Sequence, residues 1–263
     1  MLFGDPRTGG RKRRRPGPKP GSDIALSLVL VLILPLALDR GGAQGQPQEA
    51  KASRIPPPWS EPPLPDTIRV ARFSTPLPRD SLPAGWLPIS FGGDRGTTEY
   101  QEAKRDGRTC LLGEAQAAGS GLVKPLVADP VTFPRLRWSW WVPEPVPGGD
   151  VHRKEGDDFA ARIYVNFRFE PSKAGIFDRL KHRLAGDRFG GEAPGRSLVY
   201  VWGNLAPPGT AAPNAYTDKA MVVVVGSGTD GTQRWWTEER NLLEDFRDAF
   251  GYDPPEITSL AIM

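Results

Sequence analysis

Asp157 and Asp158 are the most noticeable carboxylates in the sequence, with Asp150, His152 and Glu155 just upstream. An oxygen-rich loop of this kind suits a calcium ion, and two carboxylates can divide the acid and base roles of sugar-bond hydrolysis. The spacing matches no EF-hand loop, however, and adjacent residues on a strand point to opposite faces. The favoured alternative is a solvated loop acid beside a strand-start aspartate that bonds nearby backbone or Arg162. Arg162, Tyr164 and Asn166 alternate along one apolar stretch, and Tyr200, Trp202 and Asn204 along another. On one sheet surface these stripes would stack sugar rings and bond hydroxyls; turned inward, the same aromatics would fill a core. His152 and His182 are the only histidines and make a poor zinc set. No G-x-S-x-G elbow, Walker A loop or G-x-G-x-x-G motif occurs. The single cysteine, Cys110, excludes an intrachain disulfide and sits in a strand-like run as a small buried hydrophobe.

Short strands must position these groups. Leu87 to Phe91 reads as one, Thr97 to Lys104 and Arg108 to Glu114 as a hairpin about Asp106-Gly107, and Gly119 to Leu126 as another extended segment. Leu136, Trp138, Trp140 and Val142 share one face of the next strand. From Phe159 to Phe167 the odd-numbered positions Phe159, Ala161, Ile163, Val165 and Phe167 are apolar, so Arg162, Tyr164 and Asn166 face away from the core. Leu198 to Asn204 and Lys219 to Val225 follow, the latter expected to turn through Gly226–Gly231 into a hairpin with Gln233 to Trp236. Two helices are expected. One is short, Ile176 to Leu184. The other runs from Glu238 to Phe250, with Thr237 as N-cap, Leu242, Leu243, Phe246 and Phe250 on one face, and Gly251 as stop. Many short strands with few helices indicate a mainly β, jelly-roll-like sandwich.

The N-terminus reads as an export signal. A basic run, Arg11 to Arg15 with Lys19, precedes an apolar stretch from Ile24 to Leu38 and the small residues Gly41-Gly42-Ala43. The apolar stretch falls short of the roughly 20 residues of a spanning helix. Residues 1–43 are therefore expected to be a removed signal peptide; the alternative is an inner-membrane anchor at residues 24–38. Residues 44–66 are proline-rich and expected to be a disordered linker, leaving residues 67–263 as the β domain. The segment 1–43 holds eight basic and three acidic residues, so the whole chain's net +3 becomes about −2 without it. No basic footprint for nucleic acid remains on the folded part.

Several segments resemble a bacterial exported family known as domain of unknown function 3047. They are Leu136-Arg137-Trp138-Ser139-Trp140, Gly156-Asp157-Asp158-Phe159-Ala160-Ala161-Arg162-Ile163-Tyr164-Val165, Leu198-Val199-Tyr200-Val201-Trp202, Arg240-Asn241-Leu242-Leu243-Glu244-Asp245-Phe246, Phe250-Gly251 and Ala261-Ile262-Met263. The resemblance extends from about Ala71 to the C-terminus. It implies a secreted, β-dominated domain and no particular reaction. Members of that family continue past the Ala-Ile-Met segment into a further strand. With the sequence ending at Met263, Ile257 to Met263 is expected to be an edge strand whose closing neighbour is truncated or lacking.

The functional expectation is a non-catalytic ligand-binding or cell-envelope accessory domain, periplasmic or secreted, with a saccharide or envelope component as partner. A hydrolase or lyase acting on carbohydrate, with Asp157 or Asp158 beside Arg162 and Tyr164, is the alternative; a purely structural envelope protein is the third reading. The candidate ligand-binding set is Asp157, Asp158, Arg162, Tyr164, Tyr200, Trp202 and Asn204. No cofactor is implied other than calcium.

Overall fold

The computed structural model describes the backbone of Leu28–Asp39 and residues 67–71, 73, 81–90, 96–116, 118–173 and 193–263. The basic run, the 44–66 segment and the expected helix at Ile176–Leu184 lie outside these residues.

Thirteen strands occur among the described residues: β1 Leu28–Asp39, β2 Thr67–Ala71, β3 Leu87–Ser90, β4 Glu99–Arg105, β5 Arg108–Ala115, β6 Ser120–Ala128, β7 Arg135–Trp141, β8 Ala161–Phe167, β9 Arg196–Gly203, β10 Ala211–Asn214, β11 Thr217–Ser227, β12 Trp235–Asn241 and β13 Ile257–Ile262. One helix, α1, spans Leu242–Phe250. The strands form two sheets. The first has the order β12-β7-β1-β5-β4, with β2 also paired to β1; the second runs β10-β11-β9-β8-β13-β6-β3. All pairings are antiparallel except β11 with β9.

Alternation in β7, β8 and β9 builds the core. Leu136, Trp138 and Trp140 from the first sheet meet Ile163, Val165, Phe167, Leu198, Tyr200 and Trp202 from the second, all essentially inaccessible to water. Ring centroids lie 5.3 Å apart for Trp138–Tyr200 and 6.0 Å for Trp140–Trp202, so the contact between the sheets is largely aromatic. The opposite face of the second sheet has its own small cluster, in which Phe159 and Val151 pack on Val199, Val201, Val222 and Val224. Phe159 therefore departs from the expected register. It precedes β8 rather than belonging to it, and it joins the outer cluster instead of the inter-sheet core.

Three further expectations are corrected. First, β11 and β12 make no hairpin: the chain crosses from one sheet to the other, and β12 pairs with β7 from Trp235↔Trp141 to Asn241↔Arg135. Second, that pairing claims residues 238–241, so α1 starts at Leu242 and Asn241, not Thr237, is its N-cap. The Asn241 Oδ1 accepts from the Leu243 and Glu244 amides at 3.2 and 3.4 Å. Gly251 ends the helix as expected, with φ of 76° in the left-handed region. Third, β13 is no edge strand; it lies between β8 and β6, paired to both, and Met263 exchanges backbone hydrogen bonds with Arg162 at 2.8 and 3.0 Å. The Asp106-Gly107 hairpin is as expected, both residues having positive φ.

Candidate functional site

Asp157 follows a single 3-10 turn at Lys154–Gly156 and enters the bend before β8. Its Oδ1 accepts from Arg162 Nη1 at 2.9 Å, and its backbone carbonyl accepts from Nη2 at 2.6 Å. The guanidinium also lies 4.8 Å from the Phe159 ring centroid. Both side chains are about nine-tenths buried. Asp157 is thus committed to neutralising a buried arginine and tying the loop to the strand, the structural role set against catalysis in the sequence. Asp150 belongs to a separate turn, where Oδ1 accepts from the His152 amide at 3.0 Å and Oδ2 from Arg153 Nε at 2.9 Å. The His152 amide first, then Arg153, holds the Asp150 carboxyl below the usual range. Among the described residues, no three His, Cys, Asp or Glu side chains converge to hold a metal ion.

The two polar stripes do not share a surface. Antiparallel pairing sets Ile163 opposite Tyr200 and Ala161 opposite Trp202, and opposite residues project to the same face. Tyr200 and Trp202 therefore point into the inter-sheet core. Arg162, Tyr164 and Asn166 share the other face with Val199 and Val201. Tyr200 donates its hydroxyl to Asp245 Oδ2 at 2.6 Å, and Arg240 grips the same carboxylate through Nε at 2.9 Å. Burial first, and then the Asp245 charge, pushes the Tyr200 hydroxyl well above the ordinary tyrosine range. Trp202 Nε1 donates to the Gly228 carbonyl at 3.1 Å. A Cβ on Gly226 would come within 2.5 Å of the Trp202 ring, so glycine is what lets β11 pass so close to it. Asn204 donates to the Val146 carbonyl at 3.1 Å and pins a loop. Asn166 is buried between Ser197 and Ser259.

Another cluster had no signal in the sequence. A solvent-open depression is lined by Arg168, Phe169, Glu170, Lys173, Gly195, Arg196, Lys219 and Tyr252. Strand pairing assembles it: Phe167 lies opposite Arg196, which brings Arg168 alongside, and parallel pairing of Ser197 with Ala220 sets Lys219 beside Arg196. The chain leaving α1 delivers Tyr252. Lys173 Nζ sits 4.0 Å from the Tyr252 ring centroid and 2.9 Å from Glu170 Oε1. Arg168 bridges Glu256 at 2.7 Å, and Arg196 donates to the Asp218 carbonyl at 2.9 Å while its Cζ lies 5.1 Å from the Phe250 ring centroid. The lining carries four cations against one carboxylate. Arg168 and Lys173 are each paired with a glutamate, and Tyr252 is half-buried between Lys173 and the Phe246 ring.

Among the described residues, two stacked, predominantly antiparallel sheets with a single α-helix near the C-terminal end define a mainly β protein. The chain belongs to the family described as protein of unknown function (DUF3047), whose model matches residues 84–263. The curated proteins contain no match to it. No helix among the described residues is long and apolar enough to cross a membrane.

Proposed function

We propose that this is an exported, non-catalytic binding domain of the cell envelope, built as a jelly-roll-like sandwich, with an anionic saccharide as its ligand class. The supporting observation is the depression lined by Arg168, Lys173, Arg196 and Lys219, where four cations stand against one lining carboxylate, Glu170. The basic run, apolar stretch and Gly-Gly-Ala site of residues 11–43 support removal of a signal peptide and release into the periplasm or medium. Against the hydrolase alternative, Asp157 is occupied by Arg162; against the sugar-stacking surface at β9, Tyr200 and Trp202 are enclosed in the core.

The test is a binding screen of the exported protein against acidic and neutral oligosaccharides. Acidic ligands are expected to bind, with affinity falling as salt is raised because exposed charges are screened. The double variant Lys173→Ala/Arg196→Ala is expected to weaken binding about tenfold or more, since two charge-assisted contacts are lost. Equal binding of neutral and acidic sugars, or a double variant that binds like the parent, overturns the assignment.

A further inference from the structure

The centre of the first sheet is filled from outside the family domain. Within residues 84–263, the matched span, the sheet consists of two separate ribbons, β4–β5 and β7–β12. The strand that joins them is β1. Its backbone pairs antiparallel with β5 from Leu28↔Ala115 to Leu32↔Leu111, and with β7 from Val31↔Trp141 to Ile33↔Ser139 and again from Ala37↔Arg137 to Asp39↔Arg135. β5 and β7 consequently run parallel to each other across the slot, and one strand antiparallel to both satisfies both edges. The segment seated there is also the apolar stretch of the export signal. Signal removal, the reading on which this inference rests, takes away the central strand and leaves two facing rows of unpaired backbone groups, a ready template for another strand.

We infer that the processed domain is a strand acceptor: the slot between β5 and β7 takes an extended segment of a partner chain, apolar on its core-facing side and antiparallel to both walls. The walls fix the chemistry of that segment. At the Leu32 position the neighbours are Leu111 and Trp140; at the Val31 position they are Leu112 and Trp141. The face carrying Leu111, Gly113, Ala115 and Trp140 is apolar, whereas the other carries Glu114 and Ser139 beside Leu112 and Trp141, with Arg137 and Arg135 further along β7. The slot suits a strand that is apolar at alternate positions and accepts polar or apolar residues between them. Main-chain hydrogen bonds supply the affinity, as in other cases of strand addition to a sheet.

The experiment uses the exported, processed protein and a synthetic peptide of residues 28–39 carrying a lysine tail for solubility. Fluorescence anisotropy is expected to show saturable one-to-one binding. Amide hydrogen exchange at Leu111–Ala115 and Ser139–Trp141 is expected to slow at least about tenfold when peptide is added. A second peptide with the Val29→Pro, Val31→Pro and Ile33→Pro changes is expected not to bind, because proline cannot donate to the ladder. No binding, equal binding of the proline peptide, or binding without protection of those amides overturns the proposal. N-terminal sequencing separates the two readings. Exported protein that retains residues 28–39 overturns the signal-removal reading and this proposal together, whereas a processed chain that ignores the peptide overturns this proposal alone.

Discussion

The Arg162–Asp157 pair shows how a motif that suggests chemistry becomes a fastening. The guanidinium is buried under Phe159, and two of its nitrogens are used by one residue, through side chain and backbone. Removing the carboxylate takes the direct ion-pair partner from a buried charge, which is far costlier than losing an exposed ion pair. Asp157→Ala is expected to lower unfolding free energy by about 3 kcal/mol, measured by urea denaturation. A loss below about 0.5 kcal/mol, the size of a surface substitution, would mean that the pair is solvated. Cys110 is likewise structural: burial pushes its thiol up to about 11, and its Sγ lies 3.3 Å from the Ala103 carbonyl.

At the scale of elements, the β12–α1 junction shows pairing overruling propensity. Residues 237–246 are rich in helix formers, yet Glu238, Glu239 and Arg240 are held in β12 by their register with β7. Strand pairing satisfies backbone groups on that side, and the helix starts only where β7's partner positions end. The cap then matters, because Asn241 takes up two otherwise orphan amides. Asn241→Ala is expected to cost about 1 kcal/mol and to increase hydrogen exchange at Leu243 and Glu244. Asn241→Ser is expected to restore most of the loss. If alanine and serine behave alike in thermal melts, the side-chain cap contributes nothing.

For the whole molecule, stability against pH has two limbs. The carboxyls of Asp129, Asp150 and Asp253 are held low, respectively by the Thr132 hydroxyl, the His152 amide and the Arg247 guanidinium. Their folded pKa lies below the unfolded value, so the unfolded chain takes up protons first. Stability is present above the ordinary carboxylate range and is lost as pH falls through about 4 and below. Glu238 opposes this, since burial raises its pKa and protonation favours its folded form. On the alkaline side, Tyr200 keeps its proton in the fold while the unfolded chain gives it up above about 10. The melting temperature is expected to fall on both sides of a neutral plateau, with Tyr200→Phe reducing the alkaline limb and leaving the part due to buried Tyr100 and Cys110, which also keep their protons in the fold. An unchanged alkaline limb in that variant would show that the Tyr200 hydroxyl does not contribute to it.

The sequence by itself determined what is local. Period-two alternation marked Leu136, Trp138 and Trp140, and Ile163, Val165 and Phe167, as core; Asp106-Gly107 marked a hairpin; Gly251 marked the end of a helix. Each depends on residues within a few positions of one another, where sterics and side-chain direction act directly. Register across strands is not local. Alternation gave β8 and β9 two faces each, but only the pairing of Ile163 with Tyr200 decided that the stripes turn to opposite sides. The basic depression draws on residues from 168 to 252 and exists only because β8, β9, β11 and the chain after α1 end together. The placing of β13 between β6 and β8, and of the apolar Leu28–Asp39 backbone between β5 and β7, was likewise settled by which edges met. Apolarity says that a segment avoids water; only the tertiary fold supplies the two backbones that a central strand must satisfy.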